Sequence, residues 1–128
     1  MAELQRILHV DDEPDIQEVA SMTLEAIGGF TVVTCNSGSE ALERVAEVNP
    51  DIILLDVMMP GMDGPTTLKE LRKREDVAAI PVIFMTAKVQ SHEIDGYIEL
   101  GAAGVITKPF DPMELSDKVR EIWHSCQS

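Results

Sequence analysis

A chain of 128 residues, 45% of them hydrophobic, suits one compact domain with a buried core and excludes an intrinsically disordered protein. Acidic residues outnumber basic ones by 23 to 10, and a net charge of −13 repels phosphate backbones, so no direct nucleic-acid binding is expected. No apolar run is long enough to span a bilayer and the N-terminus lacks a signal-peptide pattern, so a cytoplasmic protein with no membrane contact is expected.

Residues 6–10 read as a first strand. Asp11-Asp12-Glu13-Pro14-Asp15 follows, and then Ile16, Val19, Ala20, Thr23, Leu24 and Ile27 recur at helical spacing until Gly28-Gly29 stops the helix. Residues 30–35 form a β-branched second strand. Ser37-Gly38-Ser39-Glu40 fits a capping box for a helix burying Ala41, Leu42, Val45 and Ala46, which Asn49-Pro50 ends. Ile52 to Leu55 is an unbroken apolar run, the mark of a strand covered on both faces, and it leads straight into Asp56.

The next helix is expected over residues 65–74, capped by Asp63 or Gly64, with Leu68 and Leu71 inward. The basic cluster Lys69, Arg72, Lys73 and Arg74 reads as its solvated C-terminal end. Residues 81–86 form a fourth strand, with proline tolerated at its first position. A fourth helix covers roughly residues 90–100 and is expected to bury Ile94, Ile98 and Tyr97, with Gly96 packed closely on a neighbour. Gly101-Ala102-Ala103-Gly104 turns the chain into a fifth strand over residues 105–108. A fifth helix starts with Asp111 as N-cap and Pro112 at its first position. It buries Leu115, Val119 and Ile122, with Trp123 as partial cover, and residues 124–128 are a tail. Cys35 and Cys126 match no metal or redox spacing and read as free thiols.

Strand and helix thus alternate five times with short connections, which defines a single doubly wound α/β domain over residues 1–128 with a five-stranded parallel sheet. Such sheets bind ligands outside the carboxyl ends of their strands. Asp11 and Asp12 follow strand one, Asp56 ends strand three, Thr86 ends strand four and Lys108 ends strand five, so all lie on one rim. Asp12 and Thr86 could each merely cap a helix, and Lys108 could be solvated. Asp56 has no such alternative, because Val57-Met58-Met59-Pro60-Gly61 is not a helix start. Clustered carboxylates hold either protons or a cation. Mg²⁺ takes carboxylate oxygens, and a carboxylate can attack phosphorus to give an aspartyl phosphate. A lysine and a hydroxyl then neutralise and orient the phosphoryl oxygens. His9, His92 and His124 read as core or surface residues rather than as ligands or phosphodonors.

Over essentially its whole length the sequence resembles the CheY-like receiver domains of bacterial two-component response regulators. The resemblance rests on Val10-Asp11-Asp12-Glu13, Leu55-Asp56, Met59-Pro60-Gly61-Met62-Asp63-Gly64, Met85-Thr86-Ala87 and Lys108-Pro109-Phe110. It implies the flavodoxin-like strand order 2-1-3-4-5. It also implies that Asp56 accepts a phosphoryl group from a sensor histidine kinase or a histidine phosphotransferase. Asp12 would bind Mg²⁺ directly, Asp11 largely through water and Met58 through its backbone carbonyl, while Thr86 and Lys108 contact the phosphoryl group. A protein target would be read by the face of helix four, strand five and helix five, and the Lys108-Pro109 peptide would be cis. No enzyme in the ordinary sense is expected, since the chemistry is confined to its own phosphorylation and dephosphorylation.

One position departs from the family pattern. Val105 stands where an aromatic switch residue often precedes the strand-five lysine, so output by ring rotation is not expected. An aspartyl-nucleophile phosphatase is the alternative, but such enzymes commonly carry a second Asp two residues after the first, where Met58 stands. A flavodoxin-like nucleotide carrier is disfavoured, since Asp11-Asp12-Glu13 would repel phosphate.

Overall fold

In a computed structural model that describes residues 3–87 and 90–127, five parallel strands and five helices alternate along the chain. The strands are β1 (Arg6–Val10), β2 (Thr31–Cys35), β3 (Ile52–Asp56), β4 (Val82–Thr86) and β5 (Gly104–Thr107). The helices are α1 (Pro14–Ala26), α2 (Gly38–Val48), α3 (Gly64–Arg72), α4 (Ser91–Glu99) and α5 (Leu115–Gln127). The order β2-β1-β3-β4-β5 is the one the resemblance implies. Connections leave β1 in opposite senses, which opens a crevice between the carboxyl ends of β1 and β3.

Alternation along the strands divides the core into two layers. Leu8, Val10, Ile53, Leu55, Val82 and Phe84 face α2 and α3 and meet Ala41, Val45, Leu68 and Leu71. Ile7, Ile52, Leu54, Ile83, Met85 and Ile106 face α1 and α5 and meet Ala20, Leu24, Leu115, Val119 and Trp123. β3 and β4 are buried along their whole length, as unbroken apolar runs require in a sheet covered on both sides.

Caps follow the sequence at two helices. Ser37 accepts a hydrogen bond from the Glu40 amide, and Asp63 accepts one from the Thr66 amide. Glu40 departs from the ideal capping box by accepting from the Asn36 amide instead of that of Ser37.

Several inward-facing assignments need correction. On α1, Val19 and Ile27 are exposed, because the sheet covers only the stripe running through Ala20, Thr23 and Leu24. On α2, Ala46 is exposed and Val48 takes the buried place. α3 stops at Arg72, and its basic end is not simply solvated. Arg72 donates to the carbonyls of Ile80 and Gly101 and so ties down loop backbone, while Arg74 donates to that of Leu42 and so ties the end of α3 to α2.

α4 buries no residue completely: Ile94 and Tyr97 are half-buried and Ile98 is exposed. Nothing lies within 4 Å of a Cβ placed on Gly96, so close packing is not what Gly96 serves. Asp111 makes the expected capping contact, its Oδ1 accepting from the Met113 amide, but its carbonyl accepts from both Glu114 and Leu115, so a turn intervenes and α5 begins only at Leu115. The helix then runs through His124 to Gln127, where a tail was expected, because Trp123 anchors that last turn at 6% exposure. Ser128 of that expected tail lies outside the described residues.

Trp123→Ala is therefore expected to lower unfolding free energy by about 3 kcal/mol. Val19→Ala is expected to change it by less than about 0.5 kcal/mol. Urea titrations of both variants check the two faces.

Candidate functional site

The rim begins where β1 hands over to α1. Asp11, wholly buried, follows the strand and its amide donates to the Cys35 carbonyl at 3.1 Å. Its Oδ1 accepts from the Glu13 amide at 2.9 Å, and its Oδ2 accepts from Lys108 Nζ at 3.1 Å. Asp56, at 2% exposure, is the last residue of β3. Its Oδ1 accepts from the same ammonium at 3.3 Å, while its Oδ2 is buried and has no hydrogen-bond partner among the described residues. Lys108 also stands 3.6 Å from the exposed Glu13 carboxylate.

Backbone geometry holds these groups in place. The Lys108 amide donates to the Thr86 carbonyl at 2.9 Å, so the lysine is keyed to the end of β4, and the Lys108-Pro109 peptide is cis as the resemblance implies. The loop after Asp56 returns so closely that a Cβ on Gly64 would lie 2.6 Å from the Asp56 carbonyl oxygen and 2.9 Å from Val57 Cα. Only glycine permits that approach.

The site opens on a cavity of about 360 Å³ lined by Asp56, Thr86, Lys108, Glu13 and the apolar Ile16, Met58, Ala87 and Pro109. Asp11, Asp12, Glu13 and Asp56 each place a carboxylate oxygen within 4.8 Å of the others. With one orphaned oxygen on Asp56 and hard oxygen donors throughout, this cluster fits a divalent cation.

Burial, and then repulsion from Asp11, push the Asp56 carboxyl up to about 6 against the pull of Lys108. Burial works against the Lys108 ammonium, but Asp11 and Asp56 outweigh it and hold its pKa above the ordinary value. Cys35, buried at the end of β2, is pushed up to about 11 by burial and then by Glu40, and both cysteines are free.

The predicted residues Asp11, Asp12, Asp56, Met58, Thr86 and Lys108 thus converge on one rim. Two neighbours carry no role in the sequence reading. Glu13 belongs to the acidic cluster and to the quoted motif, but with no assigned function. His9 is wholly buried with Nε2 3.9 Å from Asp11 Oδ2, and burial pushes its imidazole down to about 4. The signal was available, because residues two apart on a strand share a face. Val105 is half-buried against the layer containing Phe84, and the Tyr97 ring meets Phe84 edge-on with centroids 5.1 Å apart.

A parallel sheet in this order, with carboxylates, a lysine and a hydroxyl at its carboxyl edge, defines a flavodoxin-like α/β domain with its polar site at the switch point. Residues 7–120 match the response regulator receiver domain, and the chain belongs to that family, the receiver domains of two-component response regulators. Such domains interact with histidine kinases.

Among relatives, the DNA-binding response regulator MtrA of Mycolicibacterium smegmatis is 39% identical over 116 residues, covering 91% of this chain and 49% of its own. The alkaline phosphatase synthesis transcriptional regulatory protein PhoP of Bacillus subtilis is 38% identical over 118 residues, covering 92% and 48%. The chain therefore spans about half the length of these relatives. Among solved structures, the Vibrio cholerae chemotaxis protein CheY4 superposes with a TM-score of 0.86 at 29% identity, covering 94% of this chain and 99% of that one. The N-terminal domain of a response regulator receiver protein from Methanoculleus marisnigri gives 0.76 at 36% identity, covering 93% and 96%.

The raised Asp56 pKa has a stability consequence of definite sign. The folded state binds this proton more tightly than the unfolded chain, so the group favours folding at low pH. That contribution is lost as pH rises from about 4 through about 6. Asp56→Asn is expected to be more stable than the parent at pH 7 by on the order of 1–3 kcal/mol. The difference should close near pH 4, as denaturant melts at the two pH values will check.

Proposed function

We propose that this receiver domain takes a phosphoryl group onto Asp56 from a phosphohistidine of a kinase or phosphotransferase, and that the modification alters which protein partner it binds. The observation that carries the reading is the buried Asp56 carboxylate, with one oxygen on Lys108 and the other unpartnered, facing a cavity closed by Thr86 and Lys108.

An Asp56 oxygen attacks phosphorus, and the bond from phosphorus to the imidazole nitrogen breaks with its electron pair staying on nitrogen. Lys108 stands within reach of the added charge, and the Thr86 hydroxyl supplies a donor. Water later attacks the same phosphorus and releases inorganic phosphate with the Asp56 carboxylate restored. Asp11, Asp12 and Asp56, with the Met58 carbonyl, would hold a Mg²⁺ ion, which supplies charge neutralisation at the phosphoryl oxygens. The chain's own contribution is to hold the acceptor at the mouth of a cavity whose apolar lining includes Ile16, Met58 and Pro109.

It is not an enzyme acting on separate substrates. A separate phosphatase activity gains no support, since exposed Met58 stands where an aspartate acid would be needed. The net charge of −13 favours a protein target over DNA for this part of the chain, whatever its longer relatives bind. A cytoplasmic location fits the reading, and no described helix is long and apolar enough to cross a membrane.

Acetyl phosphate with Mg²⁺ is expected to add one phosphoryl group, seen by intact mass, and Asp56→Asn to abolish it; undiminished labelling of the variant would refute the assignment. Mg²⁺ alone is expected to raise the melting temperature by ligand linkage. Asp12→Ala should remove most of that rise, and an equal rise in the variant would mean that the ion binds elsewhere on the acidic surface.

A further inference from the structure

We propose that His9 is a positioning residue for the acidic rim, its Nε2–H closing onto Asp11 Oδ2 when Lys108 turns from that oxygen to a phosphoryl group on Asp56. The inference rests on the reading of Asp56 as phosphoacceptor and concerns a residue that the chemistry above does not use.

His9 lies in the middle of β1, wholly buried, on the α1 and α5 side of the sheet with Ile7. Neither ring nitrogen has a hydrogen-bond partner among the described residues. A buried donor left unpaired costs free energy that an aliphatic side chain of similar size would not, so this position calls for a reason. The nearest one is Asp11. His9 Nε2 stands 3.9 Å from Asp11 Oδ2, under an ångström beyond bonding distance.

That oxygen now accepts from Lys108 at 3.1 Å, while Asp11 Oδ1 is held by the Glu13 amide at 2.9 Å. Lys108 is shared, standing 3.3 Å from Asp56 Oδ1. A phosphoryl group on Asp56 brings three strong acceptor oxygens and further negative charge to the ammonium. As Lys108 shifts toward them, Asp11 Oδ2 is left as a buried carboxylate oxygen with its donor withdrawn. The uncharged imidazole 3.9 Å away supplies the replacement without adding charge to the site. The same bond then orients Asp11 toward the acidic cluster, as partners behind a ligating carboxylate commonly do.

The test uses the full chain labelled with ¹⁵N. Long-range ¹H–¹⁵N spectra of the imidazoles are recorded free, with Mg²⁺, and with Mg²⁺ and beryllofluoride standing in for the phosphoryl group. The expected result is that His9 carries its proton on Nε2, and that this proton moves downfield and exchanges more slowly once beryllofluoride binds. His9→Leu is expected to melt no lower than the parent yet bind beryllofluoride roughly tenfold more weakly, the worth of one hydrogen bond to a charged group. His9→Gln, whose amide can donate from a similar place, is expected to recover most of that loss.

Unchanged His9 signals, a proton on Nδ1 instead, parent-like affinity in His9→Leu, or equal weakness in the Leu and Gln variants would each overturn the inference. If the parent chain itself takes up no beryllofluoride, the phosphoacceptor reading fails first and the inference falls with it.

Discussion

One ammonium group holds the carboxyl end of this sheet together. Lys108, arriving from the end of β5, spans to Asp11 beyond β1 and to Asp56 at the end of β3, positions 97 and 52 residues away in sequence. Without it, two carboxylates buried to 0% and 2% exposure would face one another in a medium that screens them poorly. The price is visible in Asp56, whose pKa stays raised even with the lysine beside it. The site is therefore built with an excess of negative charge that a cation, a proton or a rearranged lysine must relieve. That imbalance is what makes the rim responsive rather than inert.

The parts of the fold that were legible in the sequence are those in which one local signal coincides with one physical demand. Ile52 to Leu55 cannot be exposed on either face, so a central strand follows, and β3 is buried throughout. A cap at Asp63 or Gly64 was legible from the proline that follows, and Asp63 takes the place by accepting from the Thr66 amide. The rim residues were legible because every strand end in a parallel sheet points the same way. Position within the strand then decides position in the site.

What the sequence hid were matters of degree along a helix. Val19 and Ile27 carry apolar side chains at helical spacing, yet the sheet's edge falls short of them. Periodicity marks a stripe and does not say how wide its cover is. Gly96 suggested a close approach and meets open space. The end of α5 was lost for the opposite reason. Polar residues 124–128 look like a frayed tail, but buried Trp123 carries the helix on through His124 to Gln127. At the site, His9 is buried as a core residue would be, and what the reading left out was its nearness to Asp11, two residues on along the same face.

α4 differs from its four companions in having no side chain fully withdrawn from water, and its chief ring contact is the edge of Tyr97 on Phe84. Local stability in a folded chain follows how much surface each segment conceals, so this helix is the segment that can detach while the sheet stays intact. Its amides should trade their hydrogens for deuterium ahead of those in α1, α2, α3 and α5. Detachment here lifts the Tyr97 edge from Phe84 and touches the other core contacts little, so the outline of the chain can change while the sheet stays paired. Because Phe84 sits on the strand that ends in Thr86, the hold on that helix is anchored two residues from the reactive rim. A small rearrangement at the rim therefore has a short mechanical path to a change in shape.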